Sequence, residues 1–286
     1  MPVNILEAQH LYFSYPGGTM ALQDLSATIE KGKKIALLGA NGTGKSTFLL
    51  HLIGVLKPNK GTIIFNQQPV RSNRASLQAL RSKVGFVFQD PDSQLFSANV
   101  WQEISFGPIN LGWSDSKVQD MVTKALKVTG TMPLKDRPTH SLSYGQKKLI
   151  SIAGVLAMEP DVIILDEPTA SLDPQSTIHI ASLLNKINQR GTTVIMATHD
   201  VDMAYAWADV IMIMHNGRII KKGNPVEVLA EDALLNETAL AKPLVLDVFC
   251  KLQHTGYLPA GIAIPRSKKQ LYAVLDEFKT PSPNSI

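Results

Sequence analysis

The sequence predicts an α/β fold in which a buried parallel sheet carries its ligand site at the carboxyl ends of the strands. Three observations predict it. Lys34–Gly39 reads KIALLG, a continuous apolar run that stops at the glycine-rich stretch GANGTGKST, 39–47. Val162–Glu167 and Thr192–Thr198 are further β-rich runs, the first ending in Asp166-Glu167 and the second running into His199. Between Asp90 and Glu159 the pattern turns helical, which reads as an insert between two strands of that core.

Along the chain, residues 5–31 read as two short strands joined by the turn Pro16-Gly17-Gly18. A helix should run from about Lys45 to Leu56 and close at Lys57-Pro58. Thr62–Asn66 and Val84–Gln89 read as strands, and Gly107-Pro108 and Met132-Pro133 mark loops within the helical insert. Val210–Met214, Asn216-Gly217 and Arg218–Lys222 form a hairpin, because Asn-Gly suits the positive φ of a two-residue turn. From about Asn224 the character changes. Leu244, Val245, Val248, Phe249 and Leu252 fall on one helical face between Pro243 and Gly256, and Leu271, Tyr272, Leu275 and Phe278 form a second stripe. The chain thus divides into a main unit, 1–225, with its helical part at about 90–159, and a C-terminal helical appendage, 226–286. The stripes of the appendage suit either packing on the main unit or contact with a second copy. PSPNSI, at 281–286, reads as disordered.

Composition narrows the function. At 286 residues with 44% hydrophobic content, the chain can build a proper core and is long for one compact domain. A net charge of +4 without any long Lys/Arg run gives no reason to expect nucleic-acid binding. The one cysteine, Cys250, excludes an internal disulfide, fits a reducing cytosol and reads as a small buried hydrophobe. MPVNILEAQH has neither the basic segment nor the apolar core of a signal peptide, and no apolar run approaches the length of a membrane span. Work at a membrane would go through partners.

Gly39 to Ser46 matches G-x-x-x-x-G-K-[ST] in full, with a strand before it and a helix after. In such a loop the backbone N–H groups of Gly39, Ala40, Asn41, Gly42, Thr43 and Gly44 curl around phosphate oxygens, and the helix entered through Thr47 points its positive end at them. Lys45 should reach the β- and γ-phosphates, and Ser46 should hold Mg²⁺. Asp166 would support Mg²⁺ through water, Glu167 would orient and deprotonate the attacking water, and His199 lies where a γ-phosphate contact is expected. The remaining histidines show no ligand spacing, so Mg²⁺ is the only metal implied.

Six motifs in fixed order, GANGTGKST, FQD at 88–90, LSYGQ at 142–146, VIILDEP at 162–168, SLD at 171–173 and ATHD at 197–200, resemble the ATP-binding-cassette (ABC) ATPase family over residues 5–222. The resemblance implies a P-loop NTPase with a RecA-like parallel-sheet core, an antiparallel β subdomain and a helical subdomain, and ATP and Mg²⁺ as cofactors. It makes Tyr15 the aromatic that stacks on adenine. Gln89 becomes the residue that touches Mg²⁺ or the attacking water and links the site to a transport partner. Ser143, Gly145 and Gln146 become the signature that caps ATP held by a second protomer, and Asp173 a residue that signals across the dimer. The sequence departs at Tyr144, where the family's signature has Gly, which puts the detailed fit of the capping surface in question.

Residues 89–112 and 145–160 are similar to ATPases of energy-coupling-factor (ECF) transporters, especially the cobalt/nickel type. In those proteins the segment after the glutamine forms a short helix in the groove that receives the membrane partner. Here that places a helix at about Asp92–Phe96 with Gln94, Leu95 and Phe96 at the contact, or packs Leu95 and Phe96 as ordinary core. The implied protein is an ATPase at the cytoplasmic face of the cell membrane. It works as a dimer of ATPase protomers with an integral-membrane coupling subunit and a substrate-binding membrane subunit, importing cobalt or nickel. Alternatives are an ECF ATPase for another solute, such as a vitamin or amino acid, and a non-transport ABC ATPase acting on DNA or ribosomes.

Overall fold

The computed structural model describes residues 3–278, so the 281–286 tail lies outside the described residues. Strands β1 (Asn4–Ser14) and β2 (Met20–Glu30) pair antiparallel across the Pro16-Gly17-Gly18 turn. Each has 11 residues, longer than expected, and repeated register shifts along the pair supply the extra twist a long ribbon needs. Strand β3 (Lys34–Leu38) leads through the phosphate loop into α1 (Lys45–Leu52). That helix ends before the expected Leu56, because Gly54 takes a φ of 64° and the Val55 N–H turns back to the Leu50 carbonyl. Strands β4 (Lys60–Phe65) and β5 (Gln68–Pro69) complete an antiparallel sheet ordered β2-β1-β4-β5. Helix α2 (Arg74–Arg81), absent from the sequence expectations, is capped by the Asn73 side chain and feeds β6 (Val84–Val87).

The helical insert follows as α3 (Val100–Asn110), α4 (Asp115–Thr129) and α5 (Tyr144–Leu156), packed through Val100, Ile104, Val122, Leu126, Ile150 and Ala153. Two expectations are corrected here. Gly107-Pro108 is not a loop but lies inside α3. Gly107 serves close packing, since a Cβ there would sit 2.7 Å from Met158 Sδ, and Pro108 falls in the last turn, where its missing N–H removes only one ladder bond. The helix expected at Asp92–Phe96 is instead a single 3-10 turn at Pro91–Ser93, started by the Asp90 carboxylate accepting from the Asp92 N–H.

The chain then runs through β7 (Val162–Asp166), α6 (Pro174–Gln189), β8 (Thr193–Thr198), α7 (Val201–Trp207) and the hairpin β9 (Val210–His215) and β10 (Arg218–Gly223). Asn216 and Gly217 take φ of 45° and 72°, as the hairpin turn requires. The second sheet is ordered β10-β9-β3-β8-β7-β6, parallel except for β10. Val162–Leu165 and Val194–Ala197 are buried on both faces, which explains their unbroken apolar pattern.

Helices α8 (Pro225–Leu229), α9 (Asp232–Thr238), α10 (Leu244–His254) and α11 (Lys268–Glu277) close the described chain. Val245, Leu246, Phe249, Leu258 and Leu271 join the same apolar core as Leu184, Tyr205 and Ala208. The buried face of α10 is rotated from the expected one: Leu246 is buried, whereas Leu244 and Val248 are exposed. The Leu244 N–H donates to Asp202 Oδ1 at 2.7 Å, which sets the angle at which the helix enters. On α11 only Leu271 of the expected stripe is buried, and Tyr272 and Phe278 face outward. The segment between the two helices is clasped to α7. Tyr205 Oη donates to the Pro265 carbonyl at 2.9 Å, and the Arg266 guanidinium donates to the carbonyls of Tyr205 and Ala208.

Candidate functional site

Strand order alone assembles the site. Strands β3, β8 and β7 are neighbours, with Leu38 opposite Thr198 and Asp166 opposite Ala197. The phosphate loop, His199 and the Asp166-Glu167 pair therefore leave the sheet at one level, on its carboxyl edge. Gly44 sits at the N-cap of α1 with φ 102°, and a Cβ there would lie 2.6 Å from the Ala21 carbonyl, so only glycine fits. Thr43 Oγ1 donates to the Ala40 carbonyl at 2.9 Å, and the Gly217 N–H at the β9–β10 turn donates to the Thr43 carbonyl at 3.1 Å. The loop is thus braced from inside and from the hairpin beside it.

The charged groups are buried against this loop. Lys45 Nζ donates to the carbonyls of Gly39 (2.7 Å) and Ala40 (3.2 Å). Burial lowers its pKa, opposed by the nearby Glu167 and Asp166 carboxylates. Asp166 is pushed upward by burial, with Glu167 adding to the shift. A hydrogen bond from the Ser46 hydroxyl, then Lys45 and Lys148, pull it back. Asp166 Oδ1 is buried without a hydrogen-bond partner. A buried carboxylate oxygen lacking a partner, beside a serine hydroxyl, is the hard oxygen donor set that Mg²⁺ takes. Glu167 is also buried, adopts a left-handed φ of 45°, and donates its N–H to the Ala197 carbonyl at 2.9 Å. Its Oε1 lies 3.0 Å from His199 Nδ1, within hydrogen-bond distance. A residue other than glycine held at positive φ stores strain of about 1–3 kcal/mol, a cost that turns up most often at functional sites.

Tyr15 stands at the rim, half exposed, with its hydroxyl 3.0 Å from Thr47 Oγ1 and its ring edge-on to Phe13 at 5.0 Å. Phe13 in turn meets His51, whose Nδ1–H donates to the Thr47 carbonyl at 2.7 Å while Nε2 is left without a partner. Burial lowers the His51 pKa. The unfolded chain takes up a proton at His51 below about pH 6.5 and the folded chain resists it, so this contribution to stability is present above that pH and is lost as pH falls below it. Urea midpoints at pH 7.5 and 5.5 should therefore differ more in the parent than in His51→Gln; an equal drop in both would remove His51 as the cause.

The expected capping residues form a separate group. Ser143 is the N-cap of α5: its Oγ accepts from the Gln146 N–H at 3.3 Å, and the Gln146 side chain accepts from the Ser143 N–H at 3.0 Å. Ser143, Gly145 and Gln146 line a cavity of about 300 Å³ with Asp173, Ser176 and His179, and no phosphate-loop residue lines it. Asp173 caps α6, and its carboxylate is held below the usual range mainly by the Ser176 hydroxyl, which donates to it at 2.5 Å. Gln89 follows β6, next to β7, and its carbonyl is bound by residues of α5. One of these, Lys148, escaped the sequence reading. The signal available was a lysine spaced four residues before Ile152 on an otherwise apolar helix face. Burial pulls its pKa down to about 8, countered by Asp90 and Asp166. Beyond Gln89 an open groove of about 1110 Å³ runs past Phe86, Phe88, Phe96, Phe106 and Met158. Phe96 is 65% exposed and stacks edge-on against Phe106 at 4.7 Å, whereas Leu95 turns inward onto the insert's core.

The chain is similar to known proteins along most of its length. The family model described as ABC transporter matches residues 22–170. A putative ABC transporter ATP-binding protein of Methanosarcina mazei is 48% identical over 88% of this chain, which spans only 56% of that relative's length. The energy-coupling factor transporter ATP-binding protein EcfA of Methanocaldococcus jannaschii is 40% identical, covering 96% of this chain and 99% of its own. The cobalt import ATP-binding protein CbiO of Rhodobacter capsulatus is 41% identical over 94% and 96%. The solved structure of cbiO1 from Clostridium perfringens, part of the ABC transporter complex cbiONQ, superposes with a TM-score of 0.75 at 43% identity, over 89% of this chain and 99% of that one. With a family model over residues 22–170 and relatives 40% and 41% identical along nearly the whole chain, the chain belongs to the ABC transporter family, in its energy-coupling-factor group of ATP-binding subunits.

Proposed function

We propose that this chain is the ATP-hydrolysing subunit of an ECF-type importer at the cytoplasmic face of the membrane, and that the imported solute is cobalt or nickel. The observation that carries the reading is the split between two half-sites. Lys45, Ser46, Asp166, Glu167 and His199 converge on one edge of the sheet, while Ser143 caps a helix that opens onto a different cavity. Two copies placed head to tail complete both sites. Tyr15 offers a ring face to the adenine. The loop N–H groups of residues 39–44 and Lys45 hold the phosphates. Ser46 and Asp166, with Gln89, would hold Mg²⁺, which when bound neutralises charge on the phosphate oxygens. Glu167 takes a proton from the attacking water, and the Nε2–H of His199 donates to the γ-phosphate. The Ser143 hydroxyl accepts from Gln146 N–H and keeps its own proton to donate to the partner's nucleotide.

ATP then favours the closed pair over the open one, and that difference in affinity is what performs work. Transmission to an integral-membrane coupling subunit and a substrate-binding membrane subunit runs through Gln89 and the groove at Phe88, Phe96 and Phe106. A cluster of exposed aromatic side chains is the usual anchor of such an interface. Residues 1–225 serve as the nucleotide unit. The appendage from 226 offers Leu244, Val248 and Tyr272 as a further contact between protomers. Among the described residues no helix is long and apolar enough to cross a membrane. The solute assignment is supported by the cobalt import relative, and the metal would be carried by the membrane subunits. Purifying the intact membrane complex, identifying its subunits and measuring uptake of cobalt, nickel and a vitamin tests the reading; uptake of the vitamin alone overturns the metal.

Phe96→Asp should leave the ATPase rate of the soluble chain within about twofold and lower solute uptake at least about tenfold, the scale of losing one aromatic anchor. Loss of the soluble ATPase rate would instead make Phe96 part of the core.

A further inference from the structure

The turn that carries Gln89 is bound to α5 rather than to the sheet. After Val87 the strand ladder stops, and the Phe88 N–H donates to the Gln94 side chain at 3.0 Å. Residues 144, 147 and 148, spaced i, i+3 and i+4 on α5, all reach this turn. Tyr144 Oη donates to the Gln89 carbonyl at 3.2 Å. Lys148 Nζ donates to the carbonyls of Phe88 at 3.0 Å and Gln89 at 2.5 Å, and the residue is entirely buried. Lys147 pairs with Asp92 at 2.5 Å. Both lone pairs of the Gln89 carbonyl are therefore taken by α5 side chains. A buried ammonium whose donors meet two backbone carbonyls defines one position for that backbone, since any shift leaves a charge unsatisfied.

Tyr144 is also the residue by which this chain departs from the family signature. Its hydroxyl points back into its own chain instead of joining Ser143 at the capping surface. We infer that Tyr144 and Lys148 are positioning residues that make Gln89 move with the N-terminal end of α5. Resting on the function proposed above, this couples the two sites of the dimer. When Ser143 of one protomer seats on its partner's ATP, α5 carries Gln89 of that same protomer into its own site, so capping one nucleotide readies the other for hydrolysis.

The experiment is a double-mutant cycle on the ATPase rate with the full-length dimer. Tyr144→Phe keeps the ring and removes one bond, and should lower kcat about three- to tenfold while leaving ATP binding to the monomer unchanged. In a Gln89→Ala background the same change should cost nothing further, because the group it positions is gone. The Hill coefficient for ATP, above unity in the parent, should fall toward unity in Tyr144→Phe and in Lys148→Met. Equal losses with and without Gln89, or an unchanged Hill coefficient, overturn the inference and make the contacts merely structural. Tyr144→Phe keeps the test decisive if Lys148→Met does not fold. A parent chain that hydrolyses ATP without cooperativity sinks this coupling alone, whereas a parent without ATPase activity sinks the functional reading beneath it.

Discussion

Glu167→Gln is expected to lower ATP hydrolysis by about 10²- to 10⁴-fold, the contribution typical of a positioned general base, and to accumulate a dimer with ATP trapped between its protomers. Glutamine has nearly the same shape and can keep the contact with His199 Nδ1, 3.0 Å in the parent. The strained backbone of residue 167 and its N–H bond to Ala197 do not depend on the side chain's charge. What the amide cannot do is take a proton from water. The ground state thus survives and only the chemical step is lost, which appears as a fall in kcat with ATP affinity retained. Single-turnover hydrolysis with size-exclusion chromatography in ATP checks both halves. A variant that turns over at the parental rate removes Glu167 from the role of base. Removing one carboxylate from a buried cluster is also expected to favour the ATP-bound state, because Glu167 raises the cost of charge on Asp166 and would do the same to an incoming phosphate.

Ser143→Asp is expected to abolish ATP-driven pairing while sparing ATP binding to each monomer. The choice of substitution follows from the cap. Ser143 Oγ accepts the Gln146 N–H, and replacing it with a residue that cannot cap costs about 1 kcal/mol of helix stability, which would blur the result. Aspartate caps as well as serine and complements the helix dipole, so α5 keeps its N-terminus. Its carboxylate, however, meets the partner's triphosphate with like charge and no proton to donate. In the Glu167→Gln background the expected outcome is a chain that stays monomeric in ATP, with a melting temperature close to that of the parent. Persistent ATP-dependent dimers would refute a shared site.

The parts of the site that lie next to each other along the chain are legible in the sequence. A strand, a glycine-rich turn and a helix form one local unit, so Gly39 to Thr47 announce their geometry by spacing alone. Asp166-Glu167 and His199 end apolar strands, and parallel strands buried on both faces place such ends at a common edge. Element limits are harder to read. Gly107-Pro108 looks like a loop because local propensity says so, but packing against Met158 overrides it. The rotation of α10, which buries Leu246 and exposes Leu244, follows from the Asp202 bond and from contacts with Tyr205 and Ala208, neither of which the helical period contains.

Residue order was enough to place the glycine-rich loop between strand and helix, the acidic strand end and the family, because those features are written in contiguous segments whose local conformation needs no distant contact. Packing alone decided that Tyr144 turns inward, that Lys148 is buried on the Gln89 turn, and that Asp166 keeps an oxygen without a partner. These join residues as far as 60 positions apart. A hydrogen bond of that span depends on how helices settle against a sheet, and neither spacing nor propensity carries that information.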